Sequence, residues 1–168
     1  MIIKQTVADL MNAQLVSEFG ASAQYLAIAI YFDEEALPAL AGYFYAQAEE
    51  EREHAMKFLK FLLNTGAHPV IPPTGDVKNQ FSSPSDAVEF ALHQEMRVTT
   101  EINQLVSLAL AEEDHTSNSF LQWFVNEQVE EVDNMTNLLQ TIKHANGNML
   151  WVEDFVRRNP QEEGDGED

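Results

Sequence analysis

The chain has no cysteine among its 168 residues. Disulfides, thiolate zinc sites and iron–sulfur clusters are therefore excluded. Positive charge is scarce as well: nine Lys and Arg stand against 28 Asp and Glu, for a formal net charge of −19. Nothing here could neutralise a run of phosphates, so nucleic acid is not an expected partner. Long apolar runs are also missing. The opening stretch MIIKQTVADLMNAQ turns polar almost at once, and the sequence predicts neither a signal peptide nor a transmembrane helix. No membrane partner is expected, and the cytoplasm is the expected location. Finally, no run alternates with the period of a β-strand.

What is present is helical periodicity on a chain that is 45% apolar. One amphipathic segment covers about residues 6–32. The acidic connection Asp33-Glu34-Glu35 follows, with Pro38 fit for the first turn of a second helix that runs to Asn64 and stops at Thr65-Gly66. The stretch AHPVIPPTGDVKNQFSS is too rich in proline to be regular helix. Ser83-Pro84-Ser85-Asp86 opens a third helix with a capping serine and proline at the first position, and it runs to about Glu112. A break at Asp114–Asn118 precedes a fourth helix, which ends at Asn146-Gly147-Asn148. A short amphipathic piece, MLWVEDFVRR, comes next, and the acidic tail at 159–168 has too little apolar content to pack.

Connection lengths predict the topology. The first and third are short, so helices one and two, and three and four, should be antiparallel. The middle one has about eighteen residues, a reach of roughly 60 Å. A helix of 28 residues is about 42 Å long, so this connection can run the length of the bundle. The expected fold is all-α: a four-helix bundle with one long crossover between helices two and three, plus a short C-terminal fifth helix. Residues 1–158 form one domain and 159–168 a flexible tail.

Each helix interrupts its apolar stripe with a carboxylate near its middle. Helix one reads Met11, Leu15, Glu18, Ala21, Ser22, Tyr25, Ala29, Phe32; helix two reads Phe44, Ala48, Glu51, Ala55, Phe58, Leu62, with His54 one turn along. Helix three gives Val88, Ala91, Leu92, Glu95, Val98, Ile102, and helix four gives Leu121, Phe124, Gln128, Glu131, Met135, Leu138, Leu139, Ile142. Antiparallel pairing brings these middles to one level. Buried carboxylates without cations cost several kcal/mol each and drive one another towards protonation. Arg52 and Arg97 lie off the stripes. A bound metal pair resolves the conflict, and oxygen ligands with one imidazole suit iron or manganese, with zinc also able to bind. Singly, each feature has a structural reading: Glu-x-x-His as surface, Tyr25 and Trp123 as core, Glu49–Glu53 as a solvated charge run. The four interruptions together point to metal.

Glu18-Phe19-Gly20-Ala21-Ser22-Ala23-Gln24-Tyr25-Leu26, Glu50-Glu51-Arg52-Glu53-His54-Ala55, Glu95 and Asn126-Glu127-Gln128-Val129-Glu130-Glu131 resemble the motifs of ferritins, particularly prokaryotic non-haem ferritins, over about residues 3–158. The resemblance implies an iron-storage subunit, one of twenty-four in a hollow shell, that oxidises Fe(II) with dioxygen or hydrogen peroxide at an internal di-iron ferroxidase centre. Carried over, Glu18, Glu51 and His54 would bind the first iron, with Glu51 bridging. Glu95 would hold the second, with Gln128 and Glu131 close by. Glu50, Glu127 and Glu130 match a third iron site, and Tyr25 matches a redox-active tyrosine. Trp123 is a further candidate electron donor.

Departures narrow the expectation. Bacterioferritins carry a haem-ligating Met where this chain has Arg52, so no haem is expected. They also repeat Glu-x-x-His in helix four, where this chain has Gln128-Val129-Glu130-Glu131. Animal ferritins line an iron channel with two acidic residues at positions held here by Asn118 and Leu121. Two other classes remain open on the residues: a di-metal oxidase or manganese catalase on the same bundle, and a metal-free helical oligomer.

Overall fold

The computed structural model describes residues 1–71, 73 and 75–160. Among these residues there are five helices: α1 (Gln5–Glu34), α2 (Pro38–Asn64), α3 (Pro84–Ala111), α4 (His115–His144) and α5 (Met149–Arg158). No strand occurs among the described residues. The expected order, short hairpin connections and long crossover are all present. The tail expected at 159–168 lies outside the described residues from position 161 onward.

The capping signals act where the sequence puts them. Ser83 Oγ accepts the Asp86 N–H at 3.1 Å, and Pro84 takes the first position of α3, where a missing N–H costs nothing. The break before α4 is shorter than expected, because α4 already begins at His115. The reason is Asp114, whose carboxylate accepts the Ser117 N–H at 3.0 Å and so starts the helix four residues early. Asp114 also accepts the Lys4 N–H at 2.8 Å, which ties the chain's N-terminal strand of coil to the α3–α4 corner. Gly66 turns the chain out of α2 at φ +80°; a Cβ there would meet the Met1 backbone at 3.2 Å.

The crossover is pinned to α1 by two amides. Gln24 exchanges both amide groups with the Lys78 backbone, at 2.8 and 2.9 Å. Asn12 does the same with His68 O and the Val70 N–H, at 3.1 and 2.7 Å. Between them, α1 carries the connection from one end of the bundle to the other.

α1 is long and apolar enough to cross a membrane by length and composition, which the opening residues of the chain did not suggest. Half of its most apolar window is buried within the bundle.

The core is divided into two clusters. One gathers Tyr25, Ile28 and Phe32 of α1 with Leu40 and Phe44 of α2, Val88 and Ala91 of α3, and Met135, Leu139 and Ile142 of α4. The other gathers Met11 and Leu15 with Ala55, Phe58 and Leu62, Val98, Ile102 and Leu105, and Leu121 and Phe124. On every helix the residues between the two clusters include the polar ones. The antiparallel arrangement thus leaves a single polar layer across the middle of the bundle, sealed by apolar packing on both sides.

α5 docks by a different device. Glu153 is buried and accepts the Ala39 and Leu40 N–H groups at 2.8 and 2.9 Å, so one helix caps the N-terminus of another.

Candidate metal centre

Four acids occupy the polar layer. Glu18 and Glu51 are each 1% exposed, Glu95 0% and Glu131 2%. No Lys or Arg pairs with any of them among the described residues; Arg52 and Arg97 are exposed and pair with Glu49 and Glu101. Burial pushes the Glu18, Glu51 and Glu131 carboxyls well above the ordinary range. Glu51 adds to the effect on Glu18, Glu95 to that on Glu51, and Glu95 and Glu51 to that on Glu131. Burial raises Glu95 too, but hydrogen bonds from Tyr25 and Gln128 draw it back. Such a set is costly as a structural feature and favourable around cations.

His54 stands at the meeting point. Its Nδ1 lies 3.2 Å from Glu51 Oε2 and 3.9 Å from Glu18 Oε2, while Nε2 lies 4.0 Å from Glu127 Oε1. Two groups of donor atoms result: Glu18, Glu51 and His54, and Glu50, His54, Glu127 and Glu131. Within each, the donor atoms lie within 4.8 Å of one another. Bonds of about 2.0–2.2 Å from one ion, the range for zinc with nitrogen or oxygen, set opposite ligands about 4.2 Å apart. Both groups hold their donor atoms within 4.8 Å, so a small inward movement would gather them on one ion.

Unsatisfied atoms test the fit independently. Glu18 Oε2, Glu131 Oε2 and Gln128 Oε1 are all buried and lack any hydrogen-bond partner. Buried acceptors in that condition are rare in native proteins. Here three face one layer, which is what an ion between them would explain.

The remaining candidates are placed as follows. Glu95 belongs to neither group of donor atoms; Tyr25 Oη donates to its Oε1, and Gln128 Nε2 donates to its Oε2 at 3.1 Å. Burial holds the Tyr25 phenol well above its ordinary pKa, with Glu95, Glu131 and Glu51 adding to the effect, so its proton stays in place for Glu95. Glu50 is partly buried, and its carboxyl is raised by burial against the opposing pull of His54. Glu130 is not brought to the centre. It is exposed and lines a surface cleft of about 300 Å³ with Tyr43, Asn134 and Phe155. Positions 127, 130 and 131 do not all face inward, because Glu127 and Glu131 point to the layer and Glu130 lies about one residue's rotation past its edge. Trp123 stands edge-on to His54 with ring centroids 5.4 Å apart, and the Lys57 ammonium sits 4.2 Å from the Trp123 ring centroid. Leu121 is fully buried in the bundle.

Two polar neighbours escaped the sequence reading. Gln14 Nε2 donates to Glu18 Oε1 at 2.8 Å, and Gln47 Nε2 donates to Glu50 Oε2 at 2.8 Å. Both were detectable in principle, as amides four and three residues before a candidate acid.

Comparison with known proteins agrees with this architecture. The ferritin-like domain family matches residues 8–145. Ferritin BfrB of Mycolicibacterium smegmatis is 48% identical over 149 residues, covering 89% of this chain and 82% of that protein. The bacterial non-heme ferritin of Staphylococcus aureus is 34% identical over 130 residues, covering 77% and 78%. Among solved structures, an open pore ferritin from the archaeon Archaeoglobus fulgidus superposes with a TM-score of 0.90 at 28% identity, covering 92% of this chain and 96% of that one. A five-helix bundle of this kind, with acids buried at the level where its four long helices meet, and with relatives of the same kind over most of its length, is a member of the ferritin family.

Proposed function

We propose that this iron-storage ferritin oxidises Fe(II) at the buried layer and passes the ferric product to a mineral core inside a shell of copies of itself, by family twenty-four, in the cytoplasm. The observation that supports this best is the pair of donor groups sharing His54 between two sealed apolar clusters. Glu18, Glu51 and His54 would hold the first ferrous ion as substrate. Glu51 would bridge to the second, held with Glu95, Gln128 and Glu131.

Ion binding requires the acids to give up their protons, and the released positive charge is replaced by the metal's. Hard carboxylate oxygens favour the ferric over the ferrous ion. Dioxygen takes one electron from each of two ferrous ions and, with two protons, leaves as hydrogen peroxide; hydrogen peroxide with two electrons and two protons becomes water. Where an electron beyond the iron pair is needed, Tyr25 would give it, its proton moving along the hydrogen bond to Glu95. Glu50 and Glu127, less buried than Glu18 and Glu51, form the next acids on the way outward. Glu130, exposed beside α5, would act only beyond them. The exposed apolar residues of α5, Leu150, Trp151 and Phe155, are the surface we assign to contacts between copies.

The test adds two Fe(II) per subunit under air and follows ferric absorbance by stopped flow, with light scattering to verify assembly. A Glu51→Ala, His54→Ala double variant should assemble and lose the fast phase. Equal rates in both proteins would refute the reading.

A further inference from the structure

We infer that Gln14 is the positioning residue that makes Glu18 a one-oxygen ligand for the first metal ion, an inference that rests on the ferroxidase reading above. Gln14 is 4% exposed and sits between Met11 and Leu15 on the buried side of α1, one turn before Glu18. A primary amide there needs a partner, and its Nε2 finds one in Glu18 Oε1 at 2.8 Å. The orientation is fixed by chemistry. With a metal ion bound, Glu18 is ionised and only accepts, so only the amide N–H can face it.

The two oxygens of Glu18 are therefore unequal. Oε1 is tied to Gln14. Oε2 is buried, has no partner, and lies 3.9 Å from His54 Nδ1, on the side where the ion would sit. A carboxylate with one oxygen held by a donor presents the other alone and in a fixed direction. Without Gln14 the group is free to rotate, to chelate through both oxygens, or to turn away. Donors that orient metal ligands in this way typically change affinity by about 10–100-fold when removed.

The probe is Zn(II), bound to the metal-free protein and measured by competition with a chromophoric chelator. Co(II) absorption reports the coordination number. Gln14→Met keeps the length and apolar surroundings of the side chain and removes the donor. The expected result is a loss of Zn(II) affinity of about 10-fold or more, and a weaker Co(II) visible band as a second Glu18 oxygen joins the ion. In a Glu18→Ala background the same substitution should leave Zn(II) affinity unchanged, since its effect passes through Glu18.

A merely structural Gln14 would instead alter thermal stability and leave both metal readouts as they are. That result, or an equal loss of affinity with and without Glu18, overturns the inference. If Glu18→Ala itself leaves Zn(II) affinity intact, the metal-centre reading falls with it. If Glu18→Ala weakens binding and Gln14→Met does not, only the role of Gln14 falls.

Discussion

Replacing Glu51 by Gln should make the metal-free protein more stable and at the same time abolish its stabilisation by metal. Glu51 lies among Glu18, Glu95 and Glu131 with no Lys or Arg to offset them, and burial with the nearby Glu95 charge holds its carboxyl well above the ordinary value of 4.5. The native state therefore keeps a proton that the unfolded chain releases once the pH passes that value. The stability linked to this proton is complete below the ordinary carboxyl range and is lost as pH rises through the raised native pKa. Glutamine has the same shape and nothing to titrate. At pH 8 the gain is on the order of 2 kcal/mol, within the range found when buried charges are replaced by neutral groups. For a chain of this size that corresponds to about 4–8 °C in Tm. At pH 5 the two proteins should differ little.

Zn(II) reverses the order. At a hundred times Kd, one site adds about 2.7 kcal/mol, or roughly 5–11 °C, to the wild type. The variant, with an amide where a bridging carboxylate is needed, should gain little. The assay is differential scanning fluorimetry at fixed protein concentration, at pH 5, 6, 7 and 8, with and without Zn(II). A variant less stable than wild type at every pH, with an undiminished Zn(II) shift, would show that Glu51 is a structural acceptor and that the reasoning is wrong.

Asp114→Ala should cost about 1–2 kcal/mol through loss of the α4 cap, with faster hydrogen exchange at Ser117 and Lys4 by mass spectrometry. Burial opposes the low pKa of Asp114, but hydrogen bonds from Ser117 and the Lys4 N–H outweigh it. Its contribution is therefore present above the ordinary carboxyl range and lost as pH falls through the lowered value, so the variant's deficit should shrink in acid. Glu153→Ala removes both acceptors for the Ala39 and Leu40 N–H groups; α5 amides should exchange faster, and sedimentation should show fewer intact assemblies. Phe58→Ala should cost about 3–5 kcal/mol by urea denaturation, because Phe58 is fully buried with its ring 4.3 Å from that of Phe124.

Much of the fold was legible because its signals are local. Pro84 after Ser83, Gly66 after Thr65 and the long proline-rich connection each act within a few residues, and helical periodicity alone puts Glu18, Glu51, Glu95 and Glu131 on buried faces. That four acids share one level followed from connection lengths. The start of α4 was read too late because Asp114, a turn residue in isolation, becomes a cap once Ser117 and Lys4 reach it.

What tertiary structure alone decided is which atoms meet. Periodicity places a residue on a face to within about one position, and Glu130 fell outside that margin while Glu127 stayed within it. It also cannot say that His54 turns one nitrogen to Glu51 and the other to Glu127, that Glu95 has both oxygens engaged, or that Gln14 leaves Glu18 with one oxygen free. Those outcomes depend on the rotation and axial offset of each helix against its neighbours. The two apolar clusters set both, because close-packed side chains on either side of the polar layer allow the helices few other positions.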